Sequence, residues 1–168
     1  EAVTDEKRKG ELGLGLARLY VEHLDHKVKA TDILERVWES NPDNTGAALL
    51  LARVYSQMNR WDKTASMLTV LHELTESLED GEKKELIYLS ALTYEALLQR
   101  PAAILAYRKS IDMGHRVGEA REKLAILLYM EEEYEESRKL ISVLVESGGL
   151  AAERLHELQG LRADIERK

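Results

Sequence analysis

Cysteine is absent from this chain. That excludes disulfides, thiolate chemistry and cysteine-held zinc or iron–sulfur groups. It leaves the redox compartment open, since a cysteine-free protein is stable on either side of a membrane. Phenylalanine is absent too; the aromatics are Trp38, Trp61 and seven tyrosines. A core without phenylalanine must be filled by Leu, Ile, Val, Met and Ala, which favours helices over strands. Proline occurs only at Pro42 and Pro101, so few breakers interrupt those helices. No apolar run approaches the roughly 20 residues of a membrane span, and no signal peptide is visible. A basic surplus is also missing: the net charge is −7, against the Lys/Arg excess that phosphate neutralisation needs, so no nucleic-acid partner is expected. The chain starts at Glu1 rather than Met. It is therefore expected to be an excised piece of a longer chain, whose N-terminal context and address are missing. The compartment stays open, with the cytoplasm favoured for a soluble protein.

What is present is enough for one ordinary domain. The chain has 168 residues, 44% of them hydrophobic and 33% charged, a balance that reads as foldable rather than disordered. Two stretches stand out: "LARLY" at 16–20 and "LARVY" at 51–55 share four of five letters and lie 35 residues apart. Continuing both alignments gives four units, marked by a small residue early in the second half of each: Ala30, Thr64, Ala103 and Ser137. The spacings are 34, 39 and 34, and the excess falls at "ESLEDGEKK", 76–84, where a polar surface insertion belongs. Each unit splits into two patterns of 3–4 periodicity, as at Leu140, Ile141, Leu144 and Val145, and no long period-2 alternation suggests a strand. Pro42 follows a second helix, Asn44 and Thr45 can cap the next, Pro101 suits a first helical turn, and Gly114 and Gly148–Gly149 suit helix stops. The last stretch keeps the helical spacing at Leu155, Leu158, Leu161 or Arg162, and Ile165, with charge elsewhere, as a terminal cap requires.

These features resemble the tetratricopeptide repeat (TPR), a 34-residue helix–turn–helix unit. Leu16, Ala17 and Tyr20, and Leu51, Ala52 and Tyr55, match its first-helix motif; Ala103, Tyr107 and Ser110 match its second helix; Pro42 matches its closing proline. The small residues Ala17, Ala52, Ala91 and Ala125 let the helices of a hairpin approach, while Tyr20, Tyr55, Tyr94 and Tyr107 fill space between hairpins. The family's first-helix Trp is replaced by Gly13, Ala48, Ile87 and Arg121, unit one carries an extra residue around "EHLDHK", and Ser90 stands for a Leu. The resemblance covers about residues 9–148. It implies an all-α, right-handed α-α superhelix (a TPR solenoid) of four helical hairpins plus a C-terminal capping helix. The single domain, 1–168, divides into repeats at about 9–42, 44–79, 81–114 and 117–148, with the cap at 150–167.

No catalytic constellation is found, so an enzyme is not expected, and neither is a cofactor or metal. "GELGLG" at 10–15 lacks a following Gly-Lys-Ser/Thr and a preceding strand, so it is expected to be a helix start with tolerated glycines. His23 and His26 are three apart but lack a third ligand, and are expected at a hairpin surface. "EEEYEE" at 131–136 lacks calcium-loop spacing and is expected to be a solvated turn.

Binding remains. The resemblance implies a concave groove lined by first helices, where a partner segment lies. Its candidate residues are Leu14, Arg18 and Val21; Leu49, Arg53 and Gln57; Tyr88, Leu92 and Glu95; and Ile126, Tyr129 and Met130. Arg18 and Arg53 are register equivalents, with Leu92 and Ile126 in the later units. The expected groove is basic at one end and apolar at the other, fitting a protein or peptide segment with acidic and apolar anchors. One TPR subclass clamps acidic chaperone C-termini with Lys, Asn and Arg; the matching places here carry Leu14, Arg18, Leu50, Glu85 and Leu89, of which only Arg18 is basic. The expected function is a protein–protein interaction scaffold or adaptor. Self-association is the first alternative, and a helical-hairpin RNA-binding array the second.

Overall fold

A computed structural model describes the backbone of residues 2–148 and 151–168, and side chains from Arg8 onward. Among these residues the regular elements are helical: α1 (Ala2–Glu22), α2 (Lys27–Ser40), α3 (Thr45–Gln57), α4 (Trp61–Glu73), α5 (Asp80–Ala96), α6 (Arg100–Asp112), α7 (Val117–Met130), α8 (Tyr134–Ser147) and α9 (Ala152–Ile165), with a 3₁₀ turn at Thr75–Ser77. Neighbouring helices pair as four hairpins, α1 with α2, α3 with α4, α5 with α6, and α7 with α8. Each hairpin then packs its second helix on the first helix of the next, and α9 closes on α8. The fold is an all-α superhelix. No described helix is long and apolar enough to cross a membrane.

The reversal inside each hairpin is made the same way four times. Asp25, Asn59, Leu98 and Glu132 all have left-handed backbone, with φ of 48°, 56°, 59° and 64°. Their spacings are 34, 39 and 34, those of the small marker residues. The amide just after each left-handed residue donates back into the preceding helix: His26 to the Tyr20 carbonyl (3.0 Å), Arg60 to Tyr55 (2.9 Å), Gln99 to Tyr94 (2.8 Å) and Glu133 to Leu128 (2.8 Å). This is the bond that satisfies an orphan carbonyl at a Schellman-type helix end. The extra residue of unit one lies here, lengthening the bond's reach from five residues to six. Asn tolerates left-handed backbone and Leu does not. Leu98→Asn is accordingly expected to stabilise the protein by about 0.5–1 kcal/mol, measurable as a higher midpoint in urea; an unchanged or lower midpoint would show that Leu98 makes a compensating contact.

The small residues sit where the helices of each hairpin cross. Ala17, Ala52, Ala91 and Ala125, and Ala30, Thr64, Ala103 and Ser137, are all fully buried. The polar ones are satisfied: Ser137 Oγ donates across its hairpin to the Ala125 carbonyl (2.7 Å), and Thr64 Oγ1 to the Arg60 carbonyl (3.1 Å). Ser90, standing for a Leu, donates to the Leu86 carbonyl (2.8 Å) and lies 3.2 Å from His72 Nε2. The core runs as three successive clusters, the first centred on α1–α4, the second on α5–α7 and the third on α7–α9.

Helix boundaries follow local chemistry. Asn44 accepts from the Ala47 amide (3.0 Å) and starts α3. Pro101 sits in the first turn of α6, where a missing N–H is harmless. Gly114 and Gly148 have positive φ beyond α6 and α8; Gly149 and Leu150 lie outside the described residues. The expected polar insertion contains the 3₁₀ turn, buried Leu78 and the start of α5, where Glu79 and Glu82 form a capping box. One expectation is corrected. The glycine-rich 10–15 stretch lies in the middle of α1, since that helix begins at Ala2. Gly13 has a packing reason: a Cβ there would stand 2.6 Å from Val37 Cγ2, so glycine lets α2 close on α1.

Candidate partner-binding groove

The face shared by the first helices holds a cleft of about 300 Å³ across α1, α3 and α5. It is lined by Arg18 and Glu22 of α1, Gly46, Leu49, Leu50 and Arg53 of α3, and Gly81, Glu82 and Glu85 of α5. Of the residues expected in a groove, it brings together Arg18, Leu49 and Arg53. Gln57 is exposed one turn beyond Arg53 on α3. Leu14 and Val21 are half-buried against the first core cluster, and Leu49 belongs to that core. Further along, Tyr88 is buried, Leu92, Glu95, Ile126 and Tyr129 are half-buried, and Met130 is exposed.

The two equivalent arginines have different surroundings. Arg53 Nε donates to Glu85 Oε1 at 2.8 Å. Glu85 is buried and is shared: its other oxygen receives His115 Nε2 (2.8 Å) and Arg116 Nε (3.4 Å), both from the α6–α7 turn. Burial opposes ionisation of Glu85, but the His115 hydrogen bond and the charges of Arg53 and Arg116 prevail and hold the carboxyl below its ordinary range. Arg18 is exposed and has no hydrogen-bond or ion-pair partner among the described residues. Register explains the contrast. Allowing for the 39-residue spacing, the position of Glu85 in α5 corresponds to Gly46 in α3. The carboxylate that would meet Arg18 is a hydrogen atom.

Toward the other end, the polar tips are already engaged. Tyr88 donates to Glu119 (2.8 Å), with the Arg116 guanidinium 5.0 Å over its ring; burial, then Glu119, push its phenol well above the ordinary value. Glu95 accepts from Tyr107 (2.5 Å) and Lys123 (2.9 Å). Tyr129 donates to Asp164 of α9, and the Lys168 ammonium lies 4.8 Å over its ring. His115 and Arg116 were not among the expected residues. Their signal is the Gly114 stop followed at once by two basic residues, with Glu119 three positions on.

Elsewhere, His23 and His26 are exposed in the α1–α2 turn, and no group of three or more potential metal ligands occurs among the described residues. The 131–136 acidic stretch spans the α7–α8 turn, with Arg100 paired to Glu131 (3.0 Å) and Arg108 to Glu136 (2.7 Å).

Residues 28–73, spanning α2 to α4, match the family model for the tetratricopeptide repeat. The whole array has the fold of tetratricopeptide-repeat proteins. Solved TPR structures align along nearly all of it at low identity. MamA matches with a TM-score of 0.72 at 16% identity, covering 96% of this chain and 88% of MamA. YrrB, described as a TPR protein with an unusual peptide-binding site, matches with a TM-score of 0.72 at 15% identity, covering 99% of this chain and 91% of YrrB. No curated protein sequence matches the chain significantly.

Proposed function

We propose that this array is a protein–protein interaction scaffold or adaptor that holds a partner segment along its first-helix face. The observation that carries the reading is Arg18. It is an exposed guanidinium lining the same cleft as Leu49 and Leu50, and Gly46 stands where its partner carboxylate would be. An acidic side chain of a partner segment fits that place, and a neighbouring apolar side chain fits over Leu49 and Leu50. Leu92, Ile126 and Met130 extend the face with partly exposed apolar surface. That YrrB carries a peptide-binding site is consistent with a fold that serves this use.

The arginines then divide the work. Arg53 is held in the Glu85 network, so reversing both charges would mix two effects. Arg18→Glu separates them. It is expected to leave the melting temperature unchanged while removing a specific set of proteins from an affinity capture analysed by mass spectrometry. Recovery of the same set by wild type and Arg18→Glu would overturn the reading.

A further inference from the structure

The turns inside the hairpins form one edge of the array, and that edge carries an apolar patch between opposite charges. Leu98, in the α5–α6 turn, has left-handed backbone (φ 59°) and is 79% exposed. Its register equivalents, Asp25, Asn59 and Glu132, are all polar. A leucine there strains the backbone and leaves an apolar side chain in water. Leu97 beside it is also exposed, and it lines a cleft of about 380 Å³ with Arg60 and Trp61 of the neighbouring hairpin. On this side of the leucines, Arg60 is exposed and its side chain has no hydrogen bond or ion pair among the described residues. Lys63 pairs with Glu35 (3.1 Å), and Asp62 lies in the first turn of α4, where a helix N-terminus favours a carboxylate. On the other side, the α7–α8 turn exposes Glu131, Glu132 and Glu133. Arg100 engages Glu131 (3.0 Å) and ties this turn to the leucine-bearing one. The Glu132 side chain has no hydrogen bond or ion pair among the described residues.

We propose that two copies of the chain associate through this turn edge, about a two-fold axis at Leu98. The order along the edge is cation, leucines, anion. Turning a second copy end over end reverses that order. Leu98 then meets Leu98, and Arg60 of each copy meets Glu132 of the other. The patch is therefore complementary to itself, which is what an isologous contact requires. It has an apolar centre and a charged rim, the usual anatomy of an interface. The same contact accounts for leucine at a left-handed position, because burial of its side chain in the dimer offsets the strain. Three turns make a small surface, so the dimer is expected to be weak and reversible.

Sedimentation equilibrium of the chain from roughly 10 μM to 1 mM is expected to show a monomer–dimer equilibrium. Arg60→Glu and Glu132→Arg are each expected to weaken it by at least about tenfold, because both charged contacts then join like charges. Their circular dichroism spectra are expected to stay unchanged. An equimolar mixture of the two variants is expected to recover wild-type association, since each contact of the mixed pair again joins a cation to an anion. Leu98→Asn is expected to abolish association while raising the urea midpoint of dilute protein. A wild-type chain that stays monomeric throughout this range overturns the proposal and leaves the patch to a different polypeptide. A mixture that associates no better than its separate components, or Leu98→Asn dimerising as wild type does, overturns it as well. None of these variants alters Arg18 or the first-helix face, so the outcome is separate from that of the groove reading.

Discussion

Tyr107→Ala is expected to destabilise the protein by about 3–5 kcal/mol, measured by urea unfolding. Tyr107 on α6 is fully buried, packs edge-on against the Tyr88 ring at 6.2 Å, and donates its hydroxyl to Glu95. Burial, with the Glu95 carboxylate beside it, keeps the phenol protonated far above its ordinary range. Truncation would leave a cavity and would strip one of the two donors from Glu95, leaving Lys123. Tyr107→Phe separates these effects, because it keeps the ring and loses only the hydrogen bond; its expected effect is about 1–2 kcal/mol. Position adds a second signature. Tyr107 lies in the middle core cluster, through which the first and third clusters are linked. In a repeat array each unit is stabilised by its neighbours. The Tyr107→Ala transition is therefore expected to broaden or split into two steps, while Tyr107→Phe stays single. A Tyr107→Ala effect below about 1 kcal/mol would contradict this packing.

Glu85→Gln is expected to cost about 1–3 kcal/mol. The carboxylate is buried and receives three cationic or imidazole donors that join α3 to the α6–α7 turn. The figure lies below that for a fully buried pair because the Arg53 and Arg116 side chains are 34% and 38% exposed, so water screens them. The sign of the pH dependence follows from the depressed carboxyl of Glu85. Its stabilising contribution is complete above the ordinary value of 4.5 that holds in the unfolded chain, and is lost as pH falls through the lower folded value. The difference in stability between wild type and Glu85→Gln should therefore be constant at neutral pH and shrink in acid below about 4.5. A difference independent of pH would show that the glutamate acts by shape rather than charge.

The fold was legible because its determinants are local and periodic. The small residues must be small where helices cross, and their 34, 39 and 34 spacing is also that of the left-handed turns, so one pattern reports both. What escaped was set by partners rather than by periodicity. Gly13 looks like a tolerated breaker until Val37 is seen against it. Leu12, Leu16 and Leu19 have ordinary core spacing, yet they are exposed. Arg18 and Arg53 are the same letter in the same motif. Their divergence depends on Glu85 and Gly46, which align only after the five-residue excess before α5 is placed correctly. Tyr88 and Tyr129 fell at groove register by spacing, but the hydroxyls are satisfied by Glu119 and Asp164, carboxylates 31 and 35 residues away.

The central claim, that the first-helix face holds the partner, can be tested by proximity in the cysteine-free chain. A photo-crosslinker is attached to a single cysteine at Gln57, exposed on α3 beside the Arg18–Arg53 cleft, or at Ser66, exposed on α4 of the same hairpin. Partner adducts are expected from position 57, lost when Arg18→Glu is added, and few are expected from position 66. Adducts formed mainly from position 66, or undiminished by Arg18→Glu, would contradict it.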